Sequence, residues 1–289
     1  MNAVKINDQL VGDGQPCYII AEIGINHNGD IELAKRLISV AIAAGCNAVK
    51  FQKRTIDVVY TPEELAKPRE SRFGMTNGDL KRGLEFGQAE YAEINRYCHD
   101  CGITWFASCW DEASVDFIEQ FDPVCYKIAS ASLTDDSLLR HTRAKGKPIM
   151  LSTGMSTIEQ VDHAVEVLGT KDLILLHTCS TYPSAYPELN LRVITTLRER
   201  YGVPVGYSGH ETGLASSVIT VALGACVIER HITVDRALWG SDQAASLEPN
   251  GINKLIRDIR LVETSLGDGV KRVLPSEVPI IDKLRRVGK

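Results

Sequence analysis

Eight short apolar runs divide this chain, and no other feature restricts its fold as tightly. They are CYIIAEIG (17–24), NAVKFQK (47–53), ITWFAS (103–108), VCYKIAS (124–130), PIMLST (148–153), LILLHT (173–178), VPVGYS (203–208) and CVIERH (226–231). They recur at intervals of roughly 20 to 35 residues, with a longer gap after the second. Each is apolar almost throughout rather than alternating, the pattern of parallel strands buried on both faces. Amphipathic stretches lie between them. IELAKRLISVAIAAG (31–45) sets Leu33, Leu37, Val40, Ala41 and Ala44 on one face at helical spacing. TIEQVDHAVEVLG and TGLASSVITVALG behave alike, and all three end in Gly, a common helix stop. Asp30 is placed to cap the first of them.

Eight β/α units in one chain predict an α/β protein, a closed (β/α)8 TIM barrel. The alternative is an open doubly wound sheet, which favours a glycine fingerprint after the first strand. Here EIGINHNG follows, without G-x-G-x-x-G spacing. Residues 1–15 read as a short N-terminal hairpin closing the barrel floor, 16–269 as the barrel, and 270–289 as a charged tail acting as linker or docking arm. Residues 54–88 form a long excursion between the second strand and its helix. A long loop on the catalytic face suggests a lid.

At 289 residues and 44% hydrophobic content, the chain can bury a large core. The net charge of −5 is spread without a basic stripe, which argues against nucleic acid as partner. No apolar run approaches the ~20 residues that cross a bilayer. The N-terminus lacks a signal-peptide core, so a cytoplasmic location is expected. The eight cysteines are then expected as free thiols. Cys98-His99-Asp100-Cys101 has C-x-x-C spacing but no partner pair, and reads as a helix end rather than a zinc site.

In such a barrel the residues that end the strands gather at one rim, where active sites lie. That rim collects Glu22, Lys50, Gln52, Lys127, Ser130, Ser152, Ser208, His210 and His231. An interior lysine must find an anion. Lys50 and Lys127 therefore either hold a phosphate and a carboxylate or form structural ion pairs with Glu22 or Glu229. Two strand-end imidazoles, with Glu22, Glu229 and Asp242 in range, suggest a divalent metal with N/O ligands; the alternative is buried, hydrogen-bonded histidines. His27 and His177 are candidate orienters of those ligands. Glu22 is placed either for proton transfer or for ion pairing. Gln52 and Tyr182 either bind sugar hydroxyls or line the core.

The segments AEIGINHNGD, VKFQ, YKIAS, PIMLSTGM, LLHTCSTYP, GYSGHETG, IERHITVD and GSDQAASLEP, in that order, closely resemble the N-acetylneuraminate (sialic acid) synthase family. The match runs from about residue 15 into LGDGVKRVLPSE, nearly the whole chain. The resemblance implies an enzyme, a transferase that condenses phosphoenolpyruvate with an open-chain amino sugar. It implies His210 and His231 as ligands of a divalent metal, typically manganese, with magnesium, cobalt or zinc as alternatives. It also implies phosphoenolpyruvate held by Lys50, Lys127, Ser130, Ser152 and Ser208, the acceptor sugar contacted by Gln52, Tyr182 and Asp242, and proton transfer by Glu22. His231 would be catalytic as well as a ligand.

Some positions depart from the family pattern. YKIASAS places Ser132 where a Glu close to the acceptor is usual. Cys109 stands for a phosphate-contacting Thr, Ser180 for an Asn, and Gly209 for an Asp. The family carries a C-terminal antifreeze-like domain that this sequence does not show. An altered acceptor, other than N-acetylmannosamine, is the expectation, and a homodimer by another route is a further one. Competing readings are a Schiff-base aldolase using Lys127 or Lys50, and a non-catalytic barrel that binds sugar phosphates.

Overall fold

The computed structural model describes residues 3–288. Eight parallel strands close into a barrel: β1 Tyr18–Gly24, β2 Ala48–Lys53, β3 Thr104–Cys109, β4 Tyr126–Ile128, β5 Ile149–Ser152, β6 Leu173–Thr178, β7 Val205–Gly209 and β8 Val227–His231. Each strand pairs with its neighbour in sequence, and β8 closes on β1. The expected (β/α)8 barrel is the observed fold, and every strand overlaps one of the eight apolar runs.

Strand parity splits the core in two. Tyr18, Ile20, Ala48, Phe106, Met150 and Ile174 point inward, where they form one apolar cluster with Val4, Ile6 and Val11. The alternate residues, such as Ile19, Val49, Phe51, Trp105 and Leu151, face the helices in a second, larger cluster. Val4, Ile6 and Val11 belong to an antiparallel hairpin, Ala3–Ile6 with Gln9–Gly12, which packs under the barrel. The lower barrel is thus solid apolar packing, and only its carboxyl end is left for polar groups.

The first helix, Ile31–Ala44, begins at Asp30, whose side chain accepts from the backbone N–H groups of Glu32 and Leu33 at 2.9 and 3.3 Å. It ends at Gly45 in the left-handed conformation. Its buried face is Ala34, Leu37, Ile38, Ala41 and Ala44. Leu33 and Val40, expected on that face, are half-buried at its margin.

The excursion after β2 is itself folded. It contains short helices at Ile56–Val59 and Pro62–Ala66, a hairpin of Pro68–Ser71 with Gly74–Thr76, and a helix at Asn77–Leu84 capped by Thr76 and Asp79. It packs tightly on the loop after β1. A Cβ on Gly29, whose φ is +71°, would lie 2.4 Å from the carbonyl oxygen of Gly83.

All eight cysteines are free. Cys98 and Cys101 close the helix Gln88–Cys101, the first buried and the second exposed. Among the described residues, no helix is long and apolar enough to cross a membrane. Residues 267–288 are exposed nearly throughout and include a short helix, Val278–Leu284.

Candidate active site

Above the apolar layer, the same inward parity delivers Glu22, Lys50, Gln52, Ser108, Lys127, Ser152, Ser208 and Glu229 to the carboxyl rim. They surround a cavity of about 150 Å³, which Ser130, Ser180, Tyr182, His210 and His231 complete. Lateral register sets three of these residues side by side, with His231 opposite Glu22 and Glu22 opposite Lys50.

The floor of the cavity is a buried charge network. Lys50 Nζ lies 3.1 Å from Glu22 Oε2 and 3.3 Å from Glu229 Oε1. Ser208 donates to Glu229 Oε1 at 3.0 Å, and Gln52 donates to Glu22 Oε1 at 2.9 Å. Lys127 Nζ is farther from its nearest carboxylate, 3.9 Å from Glu229. Burial would lower Lys50, but Glu22 and Glu229 outweigh it and hold the ammonium above its ordinary range. For Lys127 burial wins over Glu229, and its pKa falls to about 8. Burial also leaves Glu22 raised despite Lys50 and His231. Burial pushes the Glu229 carboxyl up as well, but the two ammonium groups reverse this and hold it well below the usual range. The two carboxyls are thus shifted in opposite directions, Glu22 up and Glu229 down, a separation suited to acid–base work.

The imidazoles stand at the carboxyl ends of β7 and β8, His231 beside Glu22. His210 donates from Nδ1 to the carbonyl oxygen of Cys179 at 2.7 Å, which fixes the tautomer and leaves Nε2 with its lone pair. Burial, then the neighbouring His231, lowers the His210 pKa to about 4, so the ring is neutral at physiological pH. The two ring centroids are 5.7 Å apart, and the Tyr182 ring lies 4.0 Å from that of His210. His231 Nδ1 is buried without a hydrogen-bond partner, 3.9 Å from Asp242 Oδ2. The neutral His210 ring with its free lone pair, beside the orphaned nitrogen of His231, fits a divalent cation held by two imidazoles. Among the described residues, no group of three or more His, Cys, Asp or Glu forms a complete ligand set.

A second buried network anchors the imidazoles from behind. Arg230, on the outward side of β8, donates to Glu211 Oε1 at 3.1 Å, to Ser217 Oγ at 2.9 Å and to the Gly213 carbonyl at 3.0 Å. Tyr207 donates to Glu211 Oε2 at 2.8 Å. Both ion-pair partners are fully buried. The loop that begins at His210 is therefore tied to β8 just below His231.

Not every expected residue reaches the cavity. Cys109 has the wrong parity: it faces the helices within the outer core, and Ser108 takes the inward place. Ser132 lies beyond the lining, its backbone closing a turn with Ala129 and Asp135, while Ser130 and Ala131 face the site. Asp242 stands outside the lining beside His231. His27 stacks on Phe86 at 3.9 Å and accepts from the Gly29 N–H, shaping a turn. His177 is bound to the Leu189 carbonyl at 2.7 Å. Sequence reasoning missed Ser108, Trp110, Met155 and Thr178, which also line the cavity. Ser108 Oγ and Trp110 Nε1 are buried there without partners, so two donors await a ligand. Strand parity carried the signal for Ser108.

Residues 37–271 match the profile of the NeuB family. Over 95% of this chain and 78% of the relative, the sequence is 42% identical to N-acetylneuraminate-9-phosphate synthase of Homo sapiens. It is 35% identical to N,N'-diacetyllegionaminic acid synthase of Legionella pneumophila, over 95% of this chain and 80% of that one. The fold superposes with a TM-score of 0.85 on the N-acetylneuraminic acid (sialic acid) synthetase of Leptospira borgpetersenii, 32% identical, covering 99% of this chain and 98% of the other.

Proposed function

Because the chain belongs to the NeuB family, we propose that it condenses phosphoenolpyruvate with an open-chain aldose or N-acyl hexosamine, releasing phosphate and forming a 3-deoxy-2-ulosonic acid of the sialic-acid type. The observation that carries this reading is the convergence of Lys50 and Lys127, Ser130, Ser152 and Ser208, and the paired imidazoles on one 150 Å³ cavity. In the reaction, C3 of phosphoenolpyruvate forms a bond to the aldehyde carbon, whose oxygen takes a proton. Water adds at C2, and the resulting tetrahedral centre expels phosphate to leave the ketone.

Lys127, the less compensated cation, and Lys50 would hold the donor's phosphate and carboxylate, with Ser108, Ser152 and the orphaned Trp110 N–H as further donors. Fixed donors around a small site stabilise charge without reorganising during reaction. Glu22, kept high by burial and held by Gln52, would exchange the proton at the acceptor's carbonyl oxygen or the attacking water. His210 and His231 would hold a divalent cation, manganese in the first instance, which supplies Lewis-acid polarisation of a carbonyl. Tyr182, whose ring lies tilted against His210, would pack along the acceptor chain.

The test is phosphate release and product mass spectrometry with phosphoenolpyruvate, Mn and a panel of aldoses. Condensation requires sugar-dependent phosphate release and a product mass equal to sugar plus pyruvate. Release independent of any sugar, or none at all, sinks the reading. The lowered pKa of Lys127 also favours a second one, a Schiff-base aldolase acting on pyruvate. Borohydride trapping of pyruvate on Lys127, with turnover insensitive to chelator, would support it instead.

A further inference from the structure

The carboxyl end of β1 is irregular where it meets the site. Its pairing with β2 sets Glu22 opposite Lys50 and then Gly24 opposite Phe51, so Ile23 is an extra residue and the strand bulges. A bulge re-aims the side chains beside it. Gly24 follows with φ of +53°, in the left-handed region open to glycine. A Cβ on it would lie 3.1 Å from each of Glu22 Oε1, Gln52 Nε2 and His231 Cε1. The Gly24 backbone therefore backs onto carboxyl, amide and imidazole at once, and its placement governs all three.

What holds that backbone is the loop it leads into. His27 is buried there, and its Nδ1 accepts from the Gly29 N–H at 3.0 Å. The ring also hydrogen-bonds the Gly24 carbonyl. Burial, then Arg54, lowers the His27 pKa to about 3, so the ring is neutral at physiological pH and can accept at one nitrogen while donating at the other. Phe86, near the end of the 54–88 excursion, lies on its face, with centroids 3.9 Å apart and planes 21° from parallel. Phe86 is anchored in turn, because Lys53 at the end of β2 donates to its carbonyl at 2.9 Å. Contacts thus run from the excursion through Phe86 and His27 to Gly24 and the site, although neither ring lines the cavity.

We propose that His27 is a positioning residue for the reaction: bridging Gly24 and Gly29 and clamped by Phe86, it fixes the bulged end of β1 that aims Glu22. This rests on the condensing reading above, in which Glu22 moves the proton. Glu22 is held 2.9 Å from Gln52 and 3.1 Å from Lys50. Without the bridge the Gly24 carbonyl loses its partner, the bulge is free to relax, and Glu22, two residues before it, loses its fixed aim. Of the groups assigned to the donor's anions, Lys127, Ser130 and Ser152 stand on β4, β5 and the loop between them, away from this bulge. The loss therefore falls on kcat and spares KM for phosphoenolpyruvate.

Three variants separate the parts of the bridge. His27→Phe keeps an aromatic face against Phe86 and loses both hydrogen bonds. His27→Gln loses the ring and restores an acceptor and a donor. Phe86→Leu keeps both bonds and loses the stack. The assay uses phosphoenolpyruvate, Mn and the best acceptor of the aldose panel, with kcat referred to folded protein. His27→Phe should lose about 10²-fold in kcat, as a small misplacement by a residue remote from the chemistry does, with KM for phosphoenolpyruvate unmoved. His27→Gln should recover most of that loss, and Phe86→Leu should lose about fivefold, the worth of an aromatic pair. A residue that only stabilises its loop would lower the unfolding midpoint and leave kcat of the folded variants unchanged, and that result overturns the proposal. So does a His27→Gln variant no more active than His27→Phe. If His27→Phe does not fold, the other two decide: kcat kept in His27→Gln and reduced in Phe86→Leu upholds the proposal, and the reverse overturns it. If no sugar supports condensation in the parent, the condensing reading falls by itself. Crystal structures then decide the positioning: a Glu22–Gln52 hydrogen bond, 2.9 Å in the parent, that is broken in His27→Phe and kept in His27→Gln upholds it, and a bond intact in both overturns it.

Discussion

Lys127 and Lys50 are the same residue type in the same cavity, yet their surroundings give them different behaviour. Two carboxylates hold Lys50 charged, whereas burial leaves Lys127 at about 8. If Lys127 holds the donor's anionic group, kcat/KM for phosphoenolpyruvate must fall as pH rises through about 8, because that profile reports the free protein. Stability must move the other way. The unfolded lysine keeps its proton up to its ordinary value of 10.5, so between about 8 and 10.5 the unfolded chain binds more protons and the fold gains stability with pH. A decline in kcat/KM accompanied by rising stability separates titration of Lys127 from unfolding. A profile flat beyond pH 9, or one that follows loss of structure, tells against this role. Glu229 makes the complementary case. Glu229→Gln leaves Lys127 without its nearest carboxylate and Lys50 with one of two. Removing one member of a buried ion network costs about 3–5 kcal/mol, so denaturant unfolding should show a loss of that order.

Individual strands explain both what could be read in the sequence and what could not. All eight were legible because strands buried on both faces are apolar along their length. Parity then sorts each strand, as in β8, where Val227 points into the barrel floor, Glu229 and His231 point into the cavity, and Arg230 points outward. Glu229 was legible as an ion-pair partner or as a carboxylate in range of the imidazoles, since spacing does not say how many cations a carboxylate meets. Cys109 was drawn in by the resemblance, as the counterpart of a Thr usual in the family, although its parity sets it with Trp105 and Ala107 against the helices. Substitution separates the two neighbours. Cys109→Ser buries a hydroxyl in apolar surroundings and should cost about 1–3 kcal/mol with KM for phosphoenolpyruvate unmoved. Ser108→Ala should raise that KM with little change in stability. The reverse pattern would place Cys109 at the site. Loops were less legible for a different reason. The fold of residues 54–88 depends on the approach of Gly83 to Gly29, far apart in sequence, and the position of Asp242 depends on a loop that returns to β8. Neither is encoded by local periodicity.

At the scale of the whole molecule the barrel is divided along its axis. Its lower half is apolar, sealed by the hairpin through Val4, Ile6 and Val11, and its upper half carries charged groups around an open cavity. The division matters because paired ammonium and carboxylate groups are costly to bury, and the close-packed layer beneath them keeps water from reaching the network from below. Stability and chemistry should then separate under mutation. Ile6 is fully buried and sits on the hairpin, away from every group that lines the cavity. Ile6→Ala should cost about 2–5 kcal/mol in unfolding free energy, since it opens a void in a core that can relax only partly. Arg230→Met, by contrast, breaks a buried pair directly behind the imidazole wall while keeping the volume filled. It leaves Glu211 uncompensated, so it should destabilise by a similar amount, about 3–5 kcal/mol, and in addition weaken any cation held by His210 and His231. Measured as the Mn concentration giving half-maximal turnover at a temperature where both variants remain folded, Ile6→Ala should match the parent and Arg230→Met should require more metal. An equal shift in both variants would mean that the floor and the imidazole wall are mechanically coupled, and that the axial division of the barrel does not isolate the site.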